Sequence, residues 1–275
     1  MYRHLVLGGG GMGGLCYLSY LETIWESCAF QTYCGVSVGA LLAFLLAIGY
    51  TPTQLKAMLL DIPLDTYLND PTESKLHQLC TKFGLYSGKP LMNLLKTWVN
   101  GPVAHPCLGL GSNGRLVCKD LPQLRIVGSN LSTGKSIVFG ADTTPDMSIW
   151  TALRISMGVP LFFTAVKYRN QYYIDGELFV QYNNLIHRPL TLFLYTRLCQ
   201  PDTDGQPLQL YQYIHQLTFH LRSHYNRQCP IALPPLSDMV GFHVRADHSL
   251  CFSMPKQTKH KYMTSPSIVT HDTQY

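Results

Sequence analysis

Charge is what this 275-residue sequence has least of: 13% of its residues are Asp, Glu, Lys or Arg, against 46% hydrophobic ones. A chain so poor in charge and so rich in apolar side chains can bury a sizeable core, which excludes disorder over most of its length. Long apolar runs are missing too. The longest, Ala40 to Ile48, is about half of what a bilayer span needs. Behind Arg3, the stretch Leu5-Val6-Leu7 runs straight into glycines and is too short for the apolar region of a signal peptide. The expectation is a cytoplasmic chain with no membrane span, whose contact with a membrane is peripheral at most. Internal repeats, low-complexity tracts and Cys-x-x-Cys pairs are also absent. The nine cysteines are odd in number and widely spaced, so they read as reduced thiols, and neither a metal site nor a cofactor is expected. A net charge of +5 comes from cations that are scattered apart from Lys256, Lys259, His260 and Lys261, which speaks against a nucleic-acid partner.

What is present is an alternation of short apolar strands and helices. His4 to Leu7 reads as a buried strand and Leu15 to Glu26 as a helix. Gln31 to Gly35 reads as a second strand, and Val38 to Gly49 as a nearly all-apolar helix that stops at Thr51-Pro52. Further helices are expected over Pro52 to Leu60, Ser74 to Phe83, Lys89 to Val99 and Met147 to Met157. Strands are expected over Leu124 to Gly128, Ser136 to Phe139, Gln171 to Ile174 and Leu190 to Tyr195, and an amphipathic helix over Leu208 to Arg227. Past Cys229 little periodicity remains. This order argues for an α/β fold with a largely parallel sheet covered on both faces.

Three motifs carry chemistry. Gly8 to Gly14, set between a strand and a helix, can turn backbone N–H groups and a helix N-terminus towards an anion. A dinucleotide site uses such a loop, but it also wants a carboxylate about 20 positions further on. That neighbourhood, Tyr33-Cys34-Gly35-Val36-Ser37, holds none. It holds instead Gly35-Val36-Ser37-Val38-Gly39, the Gly-x-Ser-x-Gly pattern of a nucleophile elbow, in which small residues let strand and helix close around an exposed serine hydroxyl. The plainer alternative is that Ser37 only caps a helix. The third motif, Asp175-Gly176, ends an apolar strand and taken alone would be a turn. It gains meaning beside the serine, which needs a base within hydrogen-bond reach before it can attack an ester.

With these motifs in this order, the sequence resembles the patatin-like phospholipases from about Leu5 to Asn183. The run Leu131-Ser132-Thr133-Gly134-Lys135 and the block from Ala152 to Phe163 are similar to further family segments. The resemblance implies a three-layer α/β/α fold with a mostly parallel central sheet. Residues 5–183 would form its core, residues 184–265 would complete the same domain with a strand and a helix, and residues 266–275 would be a mobile tail. It further implies a lipid acyl hydrolase with a Ser37–Asp175 dyad, an oxyanion loop of Gly9, Gly10, Gly11, Met12, Gly13 and Gly14, elbow glycines Gly35 and Gly39, no metal, and a lipid bearing an acyl ester as substrate. The loop donors are expected around Gly10 and Gly11. Three positions depart from the family pattern: Gly13 stands where Lys or Arg is usual, Glu177 follows Asp175-Gly176 where Gly or Ala is usual, and Gln181-Tyr182-Asn183 replaces an Asn-x-Pro. A lipid binder with weak or lost turnover is therefore the alternative. A Ser-Asp-His triad, using a later histidine such as His187 or His215, is the rival enzyme, but it needs more strands before the nucleophile than 36 residues hold.

Overall fold

The computed structural model describes residues 1–68, 74–100, 116–199, 213–214, 216–217 and 231–269. In chain order the strands are β1 (His4–Leu7), β2 (Thr32–Val36), β3 (Gly84–Tyr86), β4 (Leu124–Asn130), β5 (Lys135–Gly140), β6 (Leu161–Phe163), β7 (Val166–Tyr168), β8 (Gln171–Asp175), β9 (Thr191–Cys199), β10 (Asp238–Arg245) and β11 (Ile268–Val269). The helices are α1 (Leu15–Ile24), α2 (Val38–Ala47), α3 (Pro52–Asp61), α4 (Lys75–Lys82), α5 (Lys89–Asn100), α6 (Ile149–Ser156), α7 (Ala246–Ser249) and α8 (Lys256–Thr264).

Among the described residues nine strands form one sheet in the order β11-β10-β9-β1-β2-β4-β8-β7, with β5 on the far edge of β4. The run from β10 to β4 is parallel, and β5, β7, β8 and β11 add antiparallel pairs at its margins. The expected α/β class with a mostly parallel central sheet flanked by helices is what the chain adopts. Successive residues of β1 point to opposite faces, so Leu5 and Leu7 join the larger core while Val6 joins the smaller one with Val36, Tyr182 and Phe193. α2 lies in the larger core and is apolar all round: Gly39 to Leu46 are all buried. α3 starts in a capping box in which Thr51 and Gln54 satisfy each other's backbone N–H groups, with Pro52 at the first helical position.

The pairing of β4 sets the geometry that matters most. One of its edges pairs with β5 from Arg125 to Asn130. On the other edge its first half, Leu124 to Val127, pairs in parallel with β2, and its second half, Gly128 to Asn130, pairs with β8 antiparallel. β2 and β8 therefore run towards each other along one edge of β4. Val36 stands opposite Val127 and Asp175 opposite Gly128, so the residue that follows β2 meets the residue that ends β8.

Two expectations change. The tail does not begin at residue 266, because Ile268 and Val269 pair with Phe242 and Gly241 as a short antiparallel strand; residues 270–275 lie outside the described ones. The stretch after Cys229 also holds β10, an eight-residue strand beside β9. Its period-two set Val240, Phe242, Val244 is legible in hindsight, hidden behind the prolines that precede it. Of the helix expected over 208–227, only residues 213, 214, 216 and 217 are described; all four are helical and Ile214 is buried. His215, His220 and His224 lie outside the described residues. Among the described residues no helix is long and apolar enough to cross a membrane.

Candidate active site

Ser37 occupies the turn between β2 and α2 with φ 54° and ψ −125°, a conformation that non-glycine residues adopt only where the surroundings enforce it. The enforcement comes from how closely the helix approaches the strands. A Cβ on Gly39 would lie 2.3 Å from the Leu7 carbonyl oxygen, and one on Gly35 would lie 2.2 Å from that of Gly39. Glycine on both sides is thus what lets α2 start directly over β1 and β2, with its positive end at the serine. The Ser37 side chain makes no cap bond to α2. Its hydroxyl donates instead to Asp175 Oδ2 at 2.7 Å, both residues being buried, which disposes of the reading that Ser37 is only a helix cap.

The Ser37 N–H donates to Ser156 Oγ at 3.0 Å, and that hydroxyl donates in turn to the Val127 carbonyl at 2.5 Å. Ser156 therefore ties the elbow to β4 and α6. It lies in the block that resembled the family, but nothing in the sequence assigned it a role. Asp175 is held from three directions. Its N–H donates to the Gly158 carbonyl at 2.9 Å, its Oδ1 accepts the Glu177 N–H at 2.9 Å, and its Oδ2 faces the serine. His187, one of the histidines considered for a triad, is exposed, with Nδ1 2.9 Å from the Asn184 carbonyl.

The glycine loop reaches the same place. Gly11 sits at φ +55°, and a Cβ there would lie 2.0 Å from the Ser249 carbonyl oxygen, so only glycine fits between loop and α7. Side chains from distant segments hold the loop carbonyls: Tyr17 and Thr196 donate to the Gly9 carbonyl at 3.0 and 2.9 Å, and Ser249 donates to that of Gly10 at 3.0 Å. With the carbonyls turned into the protein, the N–H groups of Gly10, Gly11 and Met12 have no acceptor among the described residues. Gly9 and Gly13 differ. The Gly9 N–H donates to Glu177 Oε2 at 3.0 Å, and the Gly13 N–H donates to the Gly10 carbonyl at 3.0 Å. Of the six loop residues, Gly10, Gly11 and Met12 thus keep their N–H groups unengaged among the described residues, and Gly14 closes the loop against Val38.

Two of the three departures from the family pattern acquire a physical account. Glu177 points neither to solvent nor at the dyad: its Oε2 accepts the Tyr182 hydroxyl at 2.7 Å together with the Gly9 N–H, so it joins the Asp175-Gly176 turn to the glycine loop. At Gly13, Val244 of β10 occupies the space that a side chain would take, its Cγ1 2.6 Å from where a Cβ would stand. Tyr182, within the altered Gln181-Tyr182-Asn183, is buried and serves Glu177.

Ser37, Gly11 and Met12 open onto an apolar cavity of about 60 Å³, several times the space one water needs. Leu41, Leu59, Leu95, Met157 and Phe163 are among the side chains that wall it. Arg154 braces the Phe163 wall: its guanidinium lies 5.2 Å over that ring and donates to the Ser87 and Thr164 carbonyls at 3.0 and 2.7 Å. Burial pulls its pKa down to about 10, so it remains a cation at neutral pH.

An α/β protein with a serine on a strained elbow, an aspartate in contact with its hydroxyl and an apolar cavity at its side is the class that fold and geometry define together. The model of the patatin-like phospholipase family matches residues 5–189, and the chain belongs to that family. It is 30% identical over 182 residues to the "Probable lipid hydrolase 463L" of Invertebrate iridescent virus 6, covering 64% of this chain and 59% of that protein. To the "Uncharacterized protein R571" of Acanthamoeba polyphaga mimivirus it is 28% identical over 196 residues, covering 70% and 61%. The chain thus spans about three fifths of the length of these relatives. Among solved structures, the type III effector ExoU of Pseudomonas aeruginosa superposes with a TM-score of 0.52 at 18% identity, covering 95% of this chain and 50% of that one. VipD of Legionella pneumophila superposes with a TM-score of 0.50 at 14% identity, covering 98% and 68%. At such identities these likenesses speak for the fold alone.

Proposed function

We propose that this chain is a lipid acyl hydrolase that cleaves an acyl ester through a Ser37–Asp175 dyad. The observation that carries the reading is the 2.7 Å bond from Ser37 Oγ to Asp175 Oδ2 beside an apolar cavity that shares Gly11 and Met12 with the serine. In the acylation step Asp175 takes the hydroxyl proton as Ser37 Oγ attacks the ester carbonyl. The N–H groups of Gly10 and Gly11, with that of Met12 nearby, receive the oxyanion, a contribution of about 3 kcal/mol per donor in acyl hydrolases generally. The alcohol departs with the proton, and Asp175 then draws a proton from the water that releases the fatty acid and restores Ser37. The acyl chain lies in the cavity walled by Leu41, Leu59, Leu95 and Phe163. The substrate is a lipid met at a membrane surface, with no part for nucleic acid, metal or cofactor.

Labelling by a fluorophosphonate probe, which requires an activated serine and a formed oxyanion hole, tests this directly. The folded protein labels at Ser37, and Ser37→Ala and Asp175→Asn each lower ester hydrolysis by about a thousandfold or more, whereas His187→Ala leaves it unchanged. Folded protein that does not label is a lipid binder without turnover. Lipidomic analysis of products from mixed lipids then names the substrate class.

A further inference from the structure

The charge of this chain is unevenly placed. Residues 75–174 hold 11 Lys and Arg against three acidic residues, Asp120, Asp142 and Asp146, while the rest holds 10 against 13. Within that basic stretch, three segments without any Asp or Glu, residues 75–86, 130–137 and 161–173, come together on one face. Phe83 and Tyr172 meet edge to face with ring centroids 6.2 Å apart. Leu161 pairs with Gly84, the residue after Phe83, and the Leu131 N–H donates to the Tyr172 carbonyl at 2.8 Å. Leu76 and Cys80 lie one turn apart on α4 and both are exposed.

This face is inside out by the usual rule. On α4 the buried residue is Gln78, whereas Leu76 is 69% exposed; beyond the helix Phe83 is 55%, Leu131 51%, Tyr172 39% and Leu161 37% exposed. Phe83 and Leu161 are moreover held at φ 62° and 65°, a left-handed conformation that a bulky side chain adopts at a cost. Exposed cations surround the patch. Lys75 Nζ lies 4.8 Å from the Tyr86 ring and Lys167 Nζ 5.9 Å from the Tyr172 ring.

We propose that this face docks the protein on an anionic lipid bilayer, with Leu76, Phe83, Leu131, Leu161 and Tyr172 entering the interface and Lys75 and Lys167 meeting the headgroups. Aliphatic and aromatic side chains ringed by basic ones match a surface whose interior is apolar and whose rim is negative. The patch continues into the site, since Leu161 starts the strand whose Phe163 walls the cavity beside Ser37. The inference rests on the reading of the chain as a lipid hydrolase only in giving the docking a purpose.

The test is flotation of the Ser37→Ala protein, which binds without consuming lipid, on phosphatidylcholine vesicles with and without phosphatidylserine. Binding is expected to the anionic vesicles and to weaken with salt. Paired Leu76→Ser and Phe83→Ser changes should weaken it by about tenfold or more, and Lys75→Glu with Lys167→Glu should remove the preference for phosphatidylserine. A polarity-sensitive dye on Cys80, with Cys80→Ser as its control, should shift to the blue on binding. Hydrolysis of a short-chain soluble ester by the same variants with Ser37 intact reports that they are folded. Unchanged binding in the serine pair, or a dimer that these changes dissolve while binding persists, overturns the proposal. Protein that binds through this face yet hydrolyses no ester refutes the function proposed above and leaves the docking face standing.

Discussion

The two halves of the proposed catalytic pair are built in opposite ways. Ser37 is fixed by its own backbone: a strained turn, two glycines within two residues of it, and the apolar helix α2 directly behind. Asp175 is fixed by groups remote in sequence or beyond the end of its strand, namely the Gly158 carbonyl, the Glu177 N–H, and β4, which brings β8 head to head with β2. Local strain positions Ser37, whereas tertiary pairing positions Asp175. The first therefore rests on local close packing and the second on a web of hydrogen bonds, although Gly176 beside Asp175 is packed as closely, a Cβ there lying 2.3 Å from the Val127 carbonyl oxygen.

The serine side breaks most readily at Gly39. A methyl group there would stand 2.3 and 2.5 Å from the carbonyl oxygens of Leu7 and Gly8, and neither backbone atom can swing aside as a side chain could. Gly39→Ala is expected to cost about 3 kcal/mol or more of stability, the upper part of the range for overpacked cores, and to lower soluble expression and activity together. Chemical denaturation of the purified variant measures this; an unchanged midpoint would mean that the elbow has more room than its geometry allows.

The aspartate side is probed more gently at Glu177, whose carboxylate binds the Gly9 N–H and the Tyr182 hydroxyl. Glu177→Ala is expected to lose about 1.5–3 kcal/mol, the range for hydrogen bonds to a charged group, and to lower kcat on a soluble ester by about tenfold as the glycine loop comes loose from the Asp175 turn. Glu177→Gln can still accept from Gly9 and should recover most of kcat. If both variants lose stability while kcat stays at the wild-type value, Glu177 holds the fold and not the alignment.

The same contrast explains what was legible in the sequence. Elements whose pattern is local were read nearly to the residue: β1, the all-apolar α2 and the capped α3. The elbow and the glycine loop were read as motifs, because their chemistry lies in consecutive residues. Asp175 was recognisable only in company, since Asp-Gly alone means a turn. Tyr17, Thr196, Ser249 and Ser156 were not legible, because each acts on a backbone group between 8 and 239 positions away, and no spacing rule reaches that far. The engagement of Gly9 by Glu177 likewise depends on a fold that sequence periodicity does not describe.

The weakest expected effect comes from this remote support. α7 presses its Ser249 against Gly10 and Gly11, and the preceding residue, His248, rests with Nδ1 2.7 Å from the Tyr262 hydroxyl. Burial holds the His248 pKa below its ordinary value; the Asp247 carboxylate opposes this in part, and Arg245 adds to the lowering. The unfolded chain takes up a proton on this histidine near pH 6.5, whereas the folded chain resists it until lower pH. In that window the unfolded state binds more protons, so stability falls as pH drops from the unfolded pKa towards the folded one, and this group contributes no slope above it. His4, also lowered by burial with help from Arg188 and Arg3, acts with the same sign, so His248→Gln should flatten the loss of Tm between pH 7 and pH 5 only in part and leave the slope near pH 8 unchanged. Melting curves across that range decide the matter. Parallel slopes for the two proteins would mean that the support of Gly10 by α7 is indifferent to the charge on His248, and the remote side of the site would be sturdier than its hydrogen bonds imply.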